Sequence, residues 1–233
     1  KQVSTMALSF GGAILLGASL DKRISNNPPK SIMTFGTYSD IQTTLNFLCS
    51  GMISINSNKY KIKPHSWGLM ILLHNFLDKL NFKEIKNYKI EIKKIIGLKI
   101  LDKDEELEIE LNKLPNEPKI FINKIFDSNI SNDISNEIER VIDDQKDFIK
   151  KMSPKYWGRK VNSKVFIMHG SNDSMVPFTE SINLSKYIKS SSLFISYMYE
   201  HKEISTDKGI IFKISEFYKM FLFFKKYFKY NAS

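Results

Sequence analysis

Three residues in this sequence, Ser9, Asp173 and His201, are of the types that together turn a hydroxyl group into a nucleophile. Each follows a stretch that is predicted to be a β-strand, in the chain order serine, acid, histidine. A serine hydroxyl is a weak nucleophile at neutral pH, so it needs a base within hydrogen-bonding reach, and a carboxylate can orient that base. The order and the placement at strand ends therefore predict a catalytic triad.

Ser9 lies in the segment A-L-S-F-G-G at residues 7 to 12, where an apolar run turns at one serine into two glycines. This is typical of a nucleophile elbow, a sharp strand-to-helix turn that exposes a serine hydroxyl at the edge of a sheet. Gly11 and Gly12 have no Cβ atom, so they permit a close approach of helix to strand. The usual pattern is G-x-S-x-G, and here Ala7 stands in place of the first glycine.

An alternative for residues 6 to 20 is the apolar part of a secretion signal, with a cleavage site at residues 17 to 19. The rest of the sequence favours a globular protein, since 42% of its 233 residues are hydrophobic and 26% are charged. That length suits one domain, or one domain with a large insertion. Cys49 is the single cysteine. It excludes a disulfide within the chain and fits a reducing compartment, so we expect a cytoplasmic protein.

The formal net charge of +10 raises the question of nucleic-acid binding. The basic residues are nearly all lysines scattered along the chain, and the arginines are Arg23, Arg140 and Arg159. Arginine makes the forked contacts that distinguish bases, and few are present to make them. We therefore expect no nucleic-acid partner.

The elements that would position the three residues alternate between strand and helix. Strands are predicted at residues 2 to 8, 31 to 36, 164 to 170 and 193 to 199, and helices at 10 to 20 and 179 to 189. A strand, helix, strand order implies a right-handed crossover and a parallel sheet. The fold class predicted from this pattern is α/β.

The segment from residue 41 to 152 has a different, mostly helical pattern and is predicted to be a large insertion into a core at 1–40 and 153–233. Its helix from about Trp67 to Leu80 is so apolar that we expect it to be buried or to cover a cavity. Residues 107 to 111 alternate between apolar and acidic, which fits either a strand or a helix.

The final helix carries apolar residues at three- and four-residue steps: Ile211, Ile214, Phe217, Phe221, Phe224 and Phe228. We expect this stripe to pack against the sheet, as a terminal helix of such a fold does. The weaker alternative is that the stripe and its flanking lysines contact an anionic membrane.

Four segments outside the insertion carry a family resemblance: A-L-S-F-G-G at 7 to 12, V-F-I-M-H-G-S-N-D at 165 to 173, V-P at 176 and 177, and Y-E-H at 199 to 201. In these the sequence resembles the α/β-hydrolase superfamily of serine hydrolases. The resemblance implies a mainly parallel sheet flanked by helices, with the insertion as a helical cap. It also implies that Ser9 is the nucleophile, His201 the general base and Asp173 the orienting carboxylate.

The resemblance further implies that the backbone N–H of Phe10 donates a hydrogen bond to the oxyanion of the reaction. The family's second donor comes from a loop after an earlier strand, and its sheet has about four strands before the elbow. Because these strands do not precede Ser9, we expect a fragment of a longer protein or a gene model with a misplaced start. A degenerate, non-catalytic family member is the alternative.

The implied reaction is hydrolysis of an ester, thioester or amide through an acyl-serine intermediate. The apolar cap helix favours a carboxylesterase or lipase-like enzyme with an apolar small-molecule acyl substrate, although peptidases and thioesterases use the same machinery. No cofactor is implied, and the oligomeric state is left open.

Four further residues are candidates for chemistry. Asp40, just past the second strand, is an alternative orienting acid, because the acid lies after that strand in parts of the superfamily. His169 is expected to be a structural histidine in its turn. His65 and His74 have no second ligand at metal-binding spacing, so we predict no metal site.

Overall fold

A computed structural model describes residues 3–55, 57–198 and 209–233. Its strands are β1 (Ser4–Leu8), β2 (Ser31–Phe35), β3 (Met52–Ile55), β4 (Asn58–Lys61), β5 (Lys164–Gly170) and β6 (Ser191–Ser196). The main sheet has the order β1-β2-β5-β6, and each neighbouring pair in it is parallel. The predicted α/β class with a mainly parallel sheet is confirmed.

Helices flank the sheet and make up most of the segment between β2 and β5. They are α1 (Phe10–Ala18), α2 (Lys22–Ser25), α3 (Ile41–Ser50), α4 (Ser66–Phe76), α5 (Lys89–Ile100), α6 (Asp104–Asn112), α7 (Asn116–Phe126), α8 (Asn132–Asp144), α9 (Lys146–Met152), α10 (Pro154–Trp157), α11 (Thr179–Tyr187) and α12 (Ile210–Ala232). Short 3-10 turns lie at Leu77–Lys79, Lys83–Ile85 and Gly158–Lys160. No helix within the described ranges combines the length and the apolar character that crossing a membrane requires.

The sheet is packed on both faces, which explains why β5 is apolar along almost its whole length. One face meets α1 and α11 in a cluster of buried residues: Leu16, Ile32, Val161, Val165, Ile167, Leu184 and Ile188. The other face packs Met33, Phe166 and Met168 against Phe223 of α12. Leu16 belongs to this core, so residues 6 to 20 are an integral part of the fold, which argues against the secretion-signal alternative.

The contacts of the chain divide it into two compact units. The first unit contains residues 1–44, 53–62 and 147–233 and includes the parallel sheet. The second contains residues 45–52 and 63–146 and is built on α4 to α8, with a core of its own. The assignment of residues 41–152 as a cap stays a prediction.

Within the segment 41–152, the structure resolves one ambiguity and adds one element. Residues 107 to 111 lie in α6, where Leu107 and Leu111 are buried one turn apart, so the sequence alternation there is helical. The paired strands β3 and β4 were not predicted, because each has four residues and β4 is exposed throughout, leaving no apolar pattern to detect.

The prediction for the final helix was right about packing but wrong about the stripe. Phe221 and Phe228 of the predicted stripe are 58% and 63% exposed, whereas Phe223 is 7% exposed and lies on the sheet. Glu216 is buried on the packed side, where its carboxylate accepts a hydrogen bond from the Tyr197 N–H at 2.9 Å. Apolar residues occur all around α12, so periodicity alone supports more than one packed face.

Candidate active site

Ser9 joins β1 to α1 in a strained backbone conformation, with φ 50° and ψ −129°. Positive φ is costly for a residue with a side chain and persists only where the surroundings hold it. Two hydrogen bonds hold it here: the Ser9 N–H donates to the Phe35 carbonyl at 2.7 Å, and the Thr37 hydroxyl donates to the Ser9 carbonyl at 3.0 Å. The turn is thus tied to the end of β2 and to the loop that follows it.

Gly12 of α1 lies against Thr37 of that loop. A Cβ atom at position 12 would overlap the Thr37 hydroxyl and come within 2.9 Å of its methyl carbon. At Gly11 the same atom would meet only the Ala7 Cβ, at 3.9 Å. The second of the two glycines is therefore the one that the packing requires.

Phe10 is the first residue of α1, so its N–H has no intrahelical acceptor four residues earlier. A helix N-terminus also favours negative charge, which suits a developing oxyanion. The Phe10 ring lies 4.9 Å from that of Tyr38, whose hydroxyl donates to the Met152 carbonyl. Burial raises the pKa of Tyr38, so this phenol stays protonated. The role of the Phe10 N–H as an oxyanion donor stays a prediction.

Asp173 lies in the loop after β5 and is fully buried. Its Oδ1 accepts hydrogen bonds from the N–H groups of Met175 and Val176, at 2.8 and 2.9 Å. Its Oδ2 lies 3.2 Å from Nε2 of His169. Both carboxylate oxygens are engaged, so the acid is held in one orientation by its own loop and by the end of β5.

The sheet order brings Ser9 and Asp173 to one edge, because the carboxyl ends of parallel strands meet there. Ser9 follows β1 and Asp173 follows β5, two positions across the sheet, which corresponds to about 10 Å at the usual strand spacing. His201 lies outside the described residues. Its place as the base between Ser9 and Asp173 stays a prediction.

Asp40 is also buried, but its carboxylate takes part in a different set of contacts. Oδ2 lies 3.0 Å from the Lys155 ammonium, and Oδ1 accepts from the Ser153 hydroxyl at 3.3 Å and the Gln42 N–H at 3.1 Å. The hydrogen bond from Lys155 to Asp40 raises the pKa of Lys155. These contacts tie the loop after β2 to α10. The alternative that Asp40 is the orienting acid stays a prediction.

One protein-family model matches part of the chain. The model of the BD-FAE family, an esterase-type family of α/β hydrolases, matches residues 78–188, a span that includes the Asp173 loop. No curated protein matches the sequence. The matched residues include β5 and the acid after it, and the parallel strand order and the serine turn after β1 lie outside them and agree with the resemblance given from the sequence. The chain has a partial α/β-hydrolase fold. The resemblance stated from the sequence is confirmed.

Solved α/β-hydrolase structures similar to this chain include a hydrolase from a Medee basin deep-sea metagenome library, at 12% identity and a TM-score of 0.40, covering 86% of this chain and 58% of that one. A hydrolase of Bacillus anthracis shows 13% identity and a TM-score of 0.42, covering 86% of this chain and 61% of that one. A meta-cleavage product hydrolase of Pseudomonas fluorescens shows 11% identity and a TM-score of 0.39, and the match covers 97% of this chain and 65% of that one. The chain spans about three fifths of the length of these structures.

Sequence reasoning missed Glu180, a buried acid in the first turn of α11. Its Oε2 accepts from the N–H groups of Ser39 and Asp40, both at 2.9 Å, and from the Ser39 hydroxyl at 2.7 Å. Its Oε1 accepts from the Thr43 hydroxyl at 2.6 Å. Glu180 therefore anchors the loop after β2. An acid at a helix start has an ordinary explanation in the helix dipole, so the sequence contained no signal for this contact.

Two further features of this α/β-hydrolase fold bear on ligands. An open groove of about 320 Å³ runs along α1 and is lined by residues that include Ala13, Ile14, Gly17 and Trp157, none of them a predicted catalytic residue. Within the part of the chain that the structure describes, no group of three or more histidine, cysteine or acidic side chains is placed to hold a metal ion.

Proposed function

We propose that this protein is a serine hydrolase in which Ser9, His201 and Asp173 act as nucleophile, base and orienting acid. The observation that carries the proposal is the strained Ser9 backbone at the carboxyl edge of the parallel sheet, with Asp173 held at the same edge. Strain of this kind is retained where surrounding contacts enforce it, and it is characteristic of nucleophile turns.

In the proposed reaction the Ser9 hydroxyl attacks the substrate carbonyl carbon while His201 accepts the hydroxyl proton. The tetrahedral oxyanion receives a hydrogen bond from the Phe10 N–H. Collapse breaks the bond to the leaving group, which takes the proton from His201, and an acyl-serine remains. Water then repeats the sequence, with His201 as base again, and releases the acid and the free serine.

Within this class we propose a carboxylic ester with an apolar acyl group as the substrate. The esterase-type family match supports an ester over an amide. The apolar helix α4, with Leu69, Leu72 and Leu73 buried, supports an apolar substrate if the residues around it act as the cap. A cytoplasmic location and the absence of a nucleic-acid partner stay predictions from composition.

The test is labelling of the full chain with a fluorophosphonate, which phosphonylates activated serines, followed by peptide mass spectrometry. We expect one adduct on the Ser9 peptide and none in Ser9→Ala. Ser128→Ala is a matched control, because Ser128 also has a positive φ, 54°, but lies in the second unit. It should label like the wild type.

A chain without an adduct, or with one on another serine, would contradict the proposal. An unlabelled chain would favour the alternative of a non-catalytic α/β-hydrolase-like protein. Hydrolysis of short and medium acyl p-nitrophenyl esters, compared with the matching thioesters and anilides, then identifies the substrate class.

A further inference from the structure

His169 is a fully buried residue at the end of β5 that the proposed reaction does not use. Its Nε2 lies 2.9 Å from the Val176 carbonyl oxygen and 3.2 Å from Oδ2 of Asp173. A carbonyl and a carboxylate are both acceptors, so Nε2 must carry a proton and act as the donor. This N–H donates to the Val176 carbonyl in the acid loop, and Oδ2 of the predicted catalytic acid lies beside it.

The other ring nitrogen continues the contacts toward the nucleophile. Nδ1 lies 2.7 Å from the Ser181 hydroxyl oxygen, which also lies 3.2 Å from the Thr37 carbonyl oxygen. Because Nε2 carries the ring proton, Nδ1 and the Thr37 carbonyl are both acceptors, and the one Ser181 hydrogen serves one of them at a time. The Thr37 hydroxyl in turn donates to the Ser9 carbonyl at 3.0 Å. His169, Ser181 and Thr37 are each 0% exposed. A buried chain of polar contacts thus joins the acid loop to the Ser9 turn.

Buried polar groups of this kind have few alternatives, because breaking one contact leaves its partner desolvated and unpaired. The network therefore favours a single rotamer for Asp173. A carboxylate oxygen has two lone pairs, so the contact with His169 is compatible with a hydrogen bond to Oδ2 that orients the catalytic base.

We propose that His169 is a positioning residue for the acid: its Nε2–H donates to the Val176 carbonyl of the acid loop and lies against Oδ2 of Asp173, and its Nδ1 side contacts Ser181, which lies beside Thr37 in the loop that holds the Ser9 turn. This inference rests on the proposed function, since Asp173 is the acid only if the triad is real. It assigns His169 no contact with substrate.

Two substitutions of similar size separate the two ring nitrogens. In His169→Gln the side-chain amide nitrogen reaches the place of Nε2, where it can donate to the Val176 carbonyl and lie against Asp173, whereas in His169→Asn it reaches only the place of Nδ1. We expect His169→Gln to keep the fluorophosphonate labelling rate of Ser9 within about threefold of wild type, and His169→Asn to lower it by about tenfold or more. His74→Asn, the same change in α4, should label like wild type.

Thermal unfolding is measured for each variant, because a merely structural histidine would lower labelling only as far as it lowers the folded fraction. The inference is supported if the two variants melt alike and only His169→Asn labels slowly. It is overturned if both label at the wild-type rate, or if labelling simply follows the melting temperature.

A second readout does not depend on activity. In proton–nitrogen spectra of the imidazole groups, the His169 Nε2–H should be protected from exchange with water and should shift in Asp173→Asn. If the wild type is not labelled at all, the proposed function fails. The contact between His169 and Asp173 is then supported if the protected signal shifts in Asp173→Asn and overturned if it does not.

Discussion

At the scale of single residues, the Ser9 turn depends on Thr37 as much as on the glycines beside it. The Thr37 hydroxyl occupies the space next to Gly12 and donates to the Ser9 carbonyl. The turn therefore combines a strained φ, a close packing contact and a hydrogen bond within a few atoms. A change that moves Thr37 should disturb all three.

We predict that Gly12→Ala destabilises the protein by about 1–3 kcal/mol, because its Cβ overlaps Thr37 and the side chain must move. Ser9 labelling should fall with it. Gly11→Ala is the matched control: its Cβ has room, and alanine in a helix gains up to about 1 kcal/mol over glycine. Urea unfolding and labelling rates measure both effects. Equal stability of the two variants would contradict the packing argument.

At the scale of elements, α12 shows how tertiary contacts determine which face of a helix is buried. The packed side consists of Phe223 with Met220, Phe224 and Tyr227 at its flanks, and the Phe223 ring lies 6.0 Å from that of Phe166 and 5.6 Å from that of Phe194. These aromatic contacts and the buried Glu216 carboxylate determine the orientation of the helix.

We predict that Phe223→Ala costs about 3–5 kcal/mol of unfolding free energy, the usual loss for a buried phenylalanine. Phe221→Ala, two residues away and 58% exposed, should stay within about 0.5 kcal/mol of wild type. Chemical denaturation followed by circular dichroism compares the pair. A larger loss of unfolding free energy in Phe221→Ala than in Phe223→Ala would contradict this packing and support the stripe predicted from periodicity.

At the scale of the whole molecule, the two contact units can be followed separately, because each contains one of the two tryptophans. Trp157 belongs to the unit with the parallel sheet, and Trp67 belongs to the helical unit together with Cys49. Burial, with a contribution from Glu139, raises the pKa of the Cys49 thiol to about 12, so the folded protein should react slowly with thiol reagents near neutral pH.

We predict that the two units unfold in separate transitions, since each buries its own core. The variant Trp157→Phe leaves Trp67 as the fluorescent reporter of the helical unit. In a urea titration of this variant, the reaction rate of Cys49 with a thiol reagent should rise at the same urea concentration as the Trp67 fluorescence changes. In Trp67→Phe, the fluorescence of Trp157 should change with a different midpoint. Coincident midpoints for all three signals would mean that the chain unfolds as one cooperative unit.

The sequence alone determined the α/β class, the strands of the main sheet and the position of the Ser9 turn. These features are local: apolar runs such as residues 31 to 36 and 164 to 170 predict buried strands, and a serine followed by glycines predicts a tight turn to a helix. The short strands β3 and β4 escaped prediction because their exposed residues form no pattern.

Only the tertiary structure decided which contacts hold the site. His169 and Ser181 lie twelve residues apart, and the Thr37 that completes their network comes from another strand's loop. Glu180 holds Ser39 and Asp40 across 140 residues or more. The packed face of α12 likewise depended on the rings of β5 and β6. Periodicity reports which residues are apolar, whereas burial and hydrogen bonding depend on which distant segments meet.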